Sequence, residues 1–164
     1  MAITKVEKIW MNGKWVPWDD AKIHVLSHVA HYASSVFEGI RCYRTKTGPA
    51  IFRLDDHMDR LMGSAKIYRM ELPFTRDQIR TACLDVVAVN DLGDCYIRPL
   101  VYRGYENLGV NPFGSPVEVV VAGFPWGKYL VTRPSPRAWR SRSARGGGSR
   151  RTRSRLWPRR LPTT

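Results

Sequence analysis

Arg98 lies inside "CYIRPLVYRG", with Tyr96 and Tyr102 at alternate positions around it. In an extended segment this alternation puts Tyr96, Arg98, Leu100 and Tyr102 on one side. A guanidinium held among aromatic rings can bind a carboxylate or a phosphate through two parallel N–H bonds. It can equally be an edge-strand arginine whose head reaches water or a carboxylate partner. Spacing does not separate these readings. Arg41 and Arg60 carry the same ambiguity, with a surface charge the commoner outcome.

His24, His28 and His31 stand at i, i+4 and i+7, which on a helix would align three imidazoles. The segment before Ser27 reads as extended, and no Cys, Asp or Glu sits close enough to complete a ligand set. Hydrogen-bonded structural histidines are therefore expected rather than a metal centre. Ser27, Ser34 and Ser35 lie near histidines, but none falls within G-x-S-x-G, so no nucleophilic triad is indicated. A P-loop and a G-x-G-x-x-G fingerprint are also missing. The aromatics Tyr32, Phe37, Trp126 and Tyr129 read individually as core or surface anchors. The cysteines, Cys42, Cys83 and Cys95, are odd in number and form no C-x-x-C pair. A disulfide framework or cysteine zinc site is not expected, and a reducing, cytoplasmic setting fits.

Elements must position these residues. "KIWMNGKWV" places Asn12-Gly13 between two apolar runs, a hairpin signal because both residues accept positive φ. Residues 37–45 and 50–53 read as two further strands joined across "KTG", with a short helix around 28–36. "LDDHMDRLMGSAKIYRM" predicts a helix whose apolar face is Leu54, Met58, Leu61, Met62, Ala65 and Tyr68. "TRDQIRTACLDVVAVN" predicts a second. Its capping box is Thr75 with Gln78, its stripe is Ile79, Ala82, Cys83, Val86 and Val87, and its stop is Asn90. Gly63, inside the first helix, reads as a close-packing position. "DCYIRPLVYRG" and "VEVVVAGF" predict two last strands, the second an unbroken apolar run expected to be buried on both faces. The order of elements implies an α+β fold with a largely antiparallel sheet and helices packed on it.

The 164 residues carry a formal charge of +13, but eleven arginines with no lysine and no acid lie in 131–164, leaving +2 for residues 1–130. That split suggests a domain over 1–130 and an Arg/Pro/Ser/Gly-rich tail over 131–164, expected to be disordered because it cannot bury enough apolar surface. Such a tail would bind RNA or DNA non-specifically and with strong salt dependence. The N-terminus shows no signal-peptide pattern, and no apolar run approaches the ~18 residues that a membrane helix requires.

Three stretches, "HVLSHVAHYASSVFEGIRCY", "CYIRPLVYRGYENLGVNP" and "VVVAGFPWGKYL", resemble one family. With "IWMNGKWVPWDDAKIHV" and "FRLDDHMDRLMGSAKIYRM", they are similar to the N-terminal small domain of the branched-chain amino acid aminotransferases. These are class IV, fold-type IV enzymes that use pyridoxal 5′-phosphate. The resemblance covers residues 8–130. It implies exchange of the amino group of Leu, Ile or Val with 2-oxoglutarate, giving glutamate, in a homo-oligomer. By the same resemblance, Arg60 in "HMDRL" matches an arginine on the cofactor phosphate. Phe37, Trp126 and Tyr129 match the wall around the branched side chain, and Tyr32 and Val110 match residues reaching a neighbouring subunit's pocket. Arg98, with Tyr96 beside it, matches the receiver of the distal carboxylate of glutamate or 2-oxoglutarate. Arg41, after "FEGI", is expected near the same place.

Two departures stand out. Ala33 occupies the place of the usual glycine in "HYG", at a cost of about 1 kcal/mol if the position needs positive φ. The lysine that bonds covalently to the cofactor lies, in the family, in a second domain beyond "FPWG.YL", whereas the last lysine here is Lys128. An arginine cannot take its part, because it stays protonated. The chain alone is therefore expected to be inactive, with no catalytic residue of its own, and not to hold the cofactor stably. The abrupt change near Val131, to residues favoured by GC-rich codons, is read as frame-shifted, truncated sequence, with a true basic extension as the alternative.

Overall fold

The computed structural model describes residues 3–126. Tyr129 and the segment 131–164, with the expectations attached to them, lie outside the described residues.

Asn12 and Gly13 take φ values of 49° and 84°, closing the hairpin between β1 (Lys8–Met11) and β2 (Lys14–Pro17). Helix α1 (His28–Tyr32) ends at Ala33, whose φ of 53° and ψ of 31° are left-handed. Strands β3 (Ser35–Phe37), β4 (Ile40–Thr45) and β5 (Gly48–Ile51) follow, then helices α2 (Leu54–Ile67) and α3 (Arg76–Val89). The described residues finish with β6 (Cys95–Arg103) and β7 (Val117–Pro125). Among the described residues seven strands form one sheet in the order β2-β1-β7-β6-β4-β5, with β3 also on β6. Every pairing is antiparallel. The α+β expectation therefore holds.

Four details differ from the sequence expectation. Gly63 is not a close-packing position, since a Cβ added there would meet nothing within 4 Å. The single strand expected over 37–45 is two strands, both on the same edge of β6. Phe37 pairs with Leu100 and Ile40 with Ile97, with Glu38–Gly39 as the joint. The cause lies opposite: the Pro99 carbonyl accepts from the Glu38 N–H at 3.0 Å, but proline has no N–H to return the bond. The "VEVVVAGF" strand is not buried on both faces. Val119 and Val121 are fully buried while Val120 and Ala122 are only partly covered. A run of valines hides the period of two that the sheet imposes. Tyr68 falls just after α2 and is exposed, so it leaves the apolar stripe.

The core lies on one face of the sheet. Ile40, Cys42, Cys95, Ile97, Val101, Val119 and Val121 point toward α2 and α3, meeting Met58, Leu61, Ala65, Ile79, Cys83 and Val86. Both bonds of the Thr75–Gln78 capping box are present, an arrangement typically worth about 1 kcal/mol at the cap. The opposite face carries Arg41, Tyr43, Tyr96, Arg98 and Leu100, all less covered. The sheet thus separates a dry, helix-covered side from a polar and aromatic one.

Candidate active site

On that second face the ladder register decides what meets. Arg41 is opposite Tyr96, Tyr96 opposite Phe124, and Arg98 opposite Ala122. Since residues opposite one another share a face, the two arginines and the aromatic rings converge. Arg41, Tyr96, Arg98 and Trp126 line a cleft of about 260 Å³. Tyr96, Phe124 and Trp126 form an aromatic trio with ring centroids 5.2–5.7 Å apart.

Arg98 is held from several sides. Its Nη2 donates to the Tyr96 hydroxyl at 2.8 Å, and its guanidinium lies 4.3 Å from the centre of the Phe37 ring. Its Nε is buried with no hydrogen-bond partner among the described residues. Strand β6 is interior to the sheet, which removes the edge-strand reading of this arginine. Arg41 donates through Nη1 to the Trp126 carbonyl at 3.5 Å. Among the described residues neither arginine has a carboxylate partner within 4 Å. Two uncompensated cations beside an aromatic wall can accept an anion that carries an apolar body.

Gly39 belongs to this arrangement. A Cβ there would overlap the Tyr96 hydroxyl, so only glycine lets that hydroxyl sit where Arg98 reaches it. The other residue of the β3–β4 joint, Glu38, is 4% exposed and points the other way, toward α2. It accepts two bonds from Arg60, Nε at 2.6 Å and Nη2 at 2.5 Å, and one from His57 Nδ1 at 2.9 Å. Burial would raise the Glu38 carboxyl, but bonds and charge from Arg60 and His57 outweigh it and hold the group below its ordinary value. Arg60 itself stays exposed, and its Nη1 has no bond among the described residues. With Phe52, Arg53, Asp56 and His57 it lines a second cleft of about 420 Å³.

Tyr32 and Val110 form a third group. Tyr32 stacks on His28 at 4.5 Å and donates to the Leu108 carbonyl at 3.3 Å. Val110 projects from the loop after β6 and is 80% exposed. The expected structural histidines are hydrogen-bonded: His28 Nδ1 pairs with the Ser34 hydroxyl at 2.7 Å, His31 Nε2 with the Val25 carbonyl at 3.0 Å, and His24 Nδ1 accepts from the Leu26 N–H at 3.1 Å. The sequence-derived site residues thus fall into three groups: Phe37, Arg41, Tyr96, Arg98 and Trp126 together, Arg60 with Glu38, and Tyr32 with Val110.

The profile described as amino-transferase class IV matches residues 35–154. The chain belongs to the class IV aminotransferases. The branched-chain-amino-acid aminotransferase of Salmonella typhimurium is 51% identical over 131 residues, covering 79% of this chain and 42% of that relative. Among solved structures, the T.th. branched-chain amino acid aminotransferase complexed with N-(5′-phosphopyridoxyl)-L-glutamate has a TM-score of 0.73 and 52% identity. It covers 74% of this chain and 41% of that one. The same enzyme complexed with 4-methylvaleric acid aligns equally well, with the same TM-score, identity and coverage. The chain therefore spans about two-fifths of the length of the relatives it matches.

Four positions of this class IV domain escaped the residue-by-residue reading: Glu38, Gly39, His57 and Phe124. Phe124 was legible in principle, since pairing β7 with β6 in register sets it opposite Tyr96. Glu38 and His57 were not, because their contact spans 19 residues and depends on the break in the strand at Pro99.

Proposed function

We propose that this chain is the substrate-recognising part of a branched-chain amino-acid aminotransferase. One observation carries the proposal: Arg98, with a buried Nε that has no partner among the described residues, shares a cleft with Arg41 against an aromatic wall. Such a cleft suits both substrates of the reaction. The distal carboxylate of glutamate or 2-oxoglutarate binds Arg98, and Arg41 adds a second positive charge nearby. The Tyr96 hydroxyl accepts from Arg98 and keeps its own proton to donate to that carboxylate. When the substrate is Leu, Ile or Val, its branched side chain rests on Phe37 and Trp126. Tyr32 and Val110 extend toward the pocket of a neighbouring subunit.

The second cleft suits pyridoxal 5′-phosphate. Arg60 has the right chemistry for its phosphate, an exposed guanidinium whose Nη1 is free among the described residues and whose orientation is fixed by Glu38. When bound, the cofactor supplies the electron sink that allows a proton to leave the amino-acid Cα. Residues 1–164 contain no lysine after Lys128 to bond it and carry that proton, so the chain alone neither retains the cofactor stably nor turns substrate over.

Titration with glutarate, a five-carbon dicarboxylate, followed at the Trp126 indole N–H by NMR, tests the reading. The expected result is a saturable shift that disappears in Arg98→Met. No shift, or an equal shift in the variant, would remove the dicarboxylate assignment.

A further inference from the structure

Arg103, the last residue of β6, is 3% exposed, and no carboxylate pairs with it among the described residues. Its side chain instead donates only to main-chain carbonyls. Nη1 reaches Pro112 at 2.7 Å and Ser115 at 3.4 Å, and Nη2 reaches Arg69 at 2.9 Å. The Phe113 ring covers it at 5.4 Å. A buried cation needs strong acceptors, and carbonyl dipoles are what it has here. Three carbonyls from two separate segments are therefore gathered by one planar group.

The segments it gathers are informative. Pro112 and Ser115 close the loop 104–116, which carries Val110 at its tip. The backbone of the same residue and of Gly104 binds the α1 region. Arg103 N–H donates to the Ser34 carbonyl at 3.1 Å, and the Gly104 carbonyl accepts from the His28 N–H at 2.9 Å. The Gly104 N–H closes the loop base on the Pro116 carbonyl at 2.8 Å. His28 in turn carries the Tyr32 ring, and the Tyr32 hydroxyl returns to the same loop at Leu108. Tyr32 and Val110 are thus two ends of one assembly rooted at Arg103 and Gly104.

We propose that Arg103 is a positioning residue: its guanidinium clasps the loop 104–116 to the end of α2 and so fixes Tyr32 and Val110 relative to each other. That these two residues serve a neighbouring subunit rests on the functional proposal above, which the Trp126 titration tests separately. The clasp makes a chemical demand that only a planar, multi-donor cation meets. A lysine keeps the charge and the stem but cannot hold carbonyls on both sides.

Amide hydrogen exchange by NMR on the 164-residue chain tests the assignment with Arg103→Lys and Arg103→Ala. In both variants the Phe113 and Ser115 amides should exchange at least about tenfold faster, while Cys83 and Val86 on α3 keep their native rates. The Tyr32 ring resonances should shift in both. Millimolar guanidinium added to Arg103→Ala should restore slow exchange and the native Tyr32 signals, and ammonium at the same concentration should not. Native protection of the loop in Arg103→Lys would overturn the assignment. So would equal acceleration on α3 in both variants, which would make Arg103 a general stabiliser, or rescue by ammonium as effective as by guanidinium.

Discussion

Replacing Ala33 by glycine should stabilise this chain. Ala33 caps α1 with φ 53° and ψ 31°, a conformation in which an L-residue Cβ crowds the following carbonyl. That strain is roughly 1–2 kcal/mol. The residue is exposed, so its methyl contributes little burial to set against it. Glycine's greater freedom in the unfolded chain offsets about 0.4–1 kcal/mol of the relief. The net gain is about 0.5–1 kcal/mol, equivalent to about 1–4 °C in Tm for a domain of this size. Urea unfolding followed by circular dichroism measures it as a rise in midpoint at constant slope. Ala33→Val, with a β-branched side chain in the same conformation, should move the midpoint the other way. A neutral or destabilising Ala33→Gly would mean that Ala33 carries no net left-handed strain in the folded chain.

Gly39→Ala should push the Tyr96 hydroxyl off its seat, weakening glutarate binding at the Trp126 cleft by about tenfold or more and stability by about 1–3 kcal/mol. Titration calorimetry and urea melts would separate the two effects. Glu38 has a folded-state value held below its ordinary 4.5, so its contribution is fully present above that value and lost as pH falls through the lower folded one. Glu38→Gln should therefore be less stable than the native chain at about pH 7, with the difference shrinking as the pH falls below the ordinary carboxylate range in acid-unfolding curves. Burial pushes the Cys83 and Cys95 thiols up to about 12, and Cys42 is raised and buried too. Ellman's reagent at about pH 8 should find all three thiols slow in the folded chain and fast in denaturant.

What sequence reveals about this fold follows from how local each signal is. Asn12-Gly13 must turn because few other residues accept two positive φ values in succession, and Thr75–Gln78 must cap because its two bonds close within three residues. The stripe of α3 is legible because all five of its apolar residues face one sheet. Strand β7 is harder, since valines on both faces erase the alternation that the sheet imposes. The site divides in the same way. Resemblance placed Arg98 beside Tyr96, and the register of β6 brings them together with Arg41 and Trp126. The Glu38–Arg60 pair depends on the break between β3 and β4 along β6, caused by a proline on that strand, and no local pattern announces it. The Arg103 clasp joins segments 9 to 34 residues away through main-chain carbonyls, which any residue could offer.

The most direct measurement is turnover by the purified 164-residue chain, with L-leucine, 2-oxoglutarate and added pyridoxal 5′-phosphate. Formation of the branched 2-oxo acid should not exceed the rate with cofactor alone, even where glutarate binding at Arg98 is saturable. Protein-dependent formation of that product, in material free of any longer aminotransferase, would contradict the account.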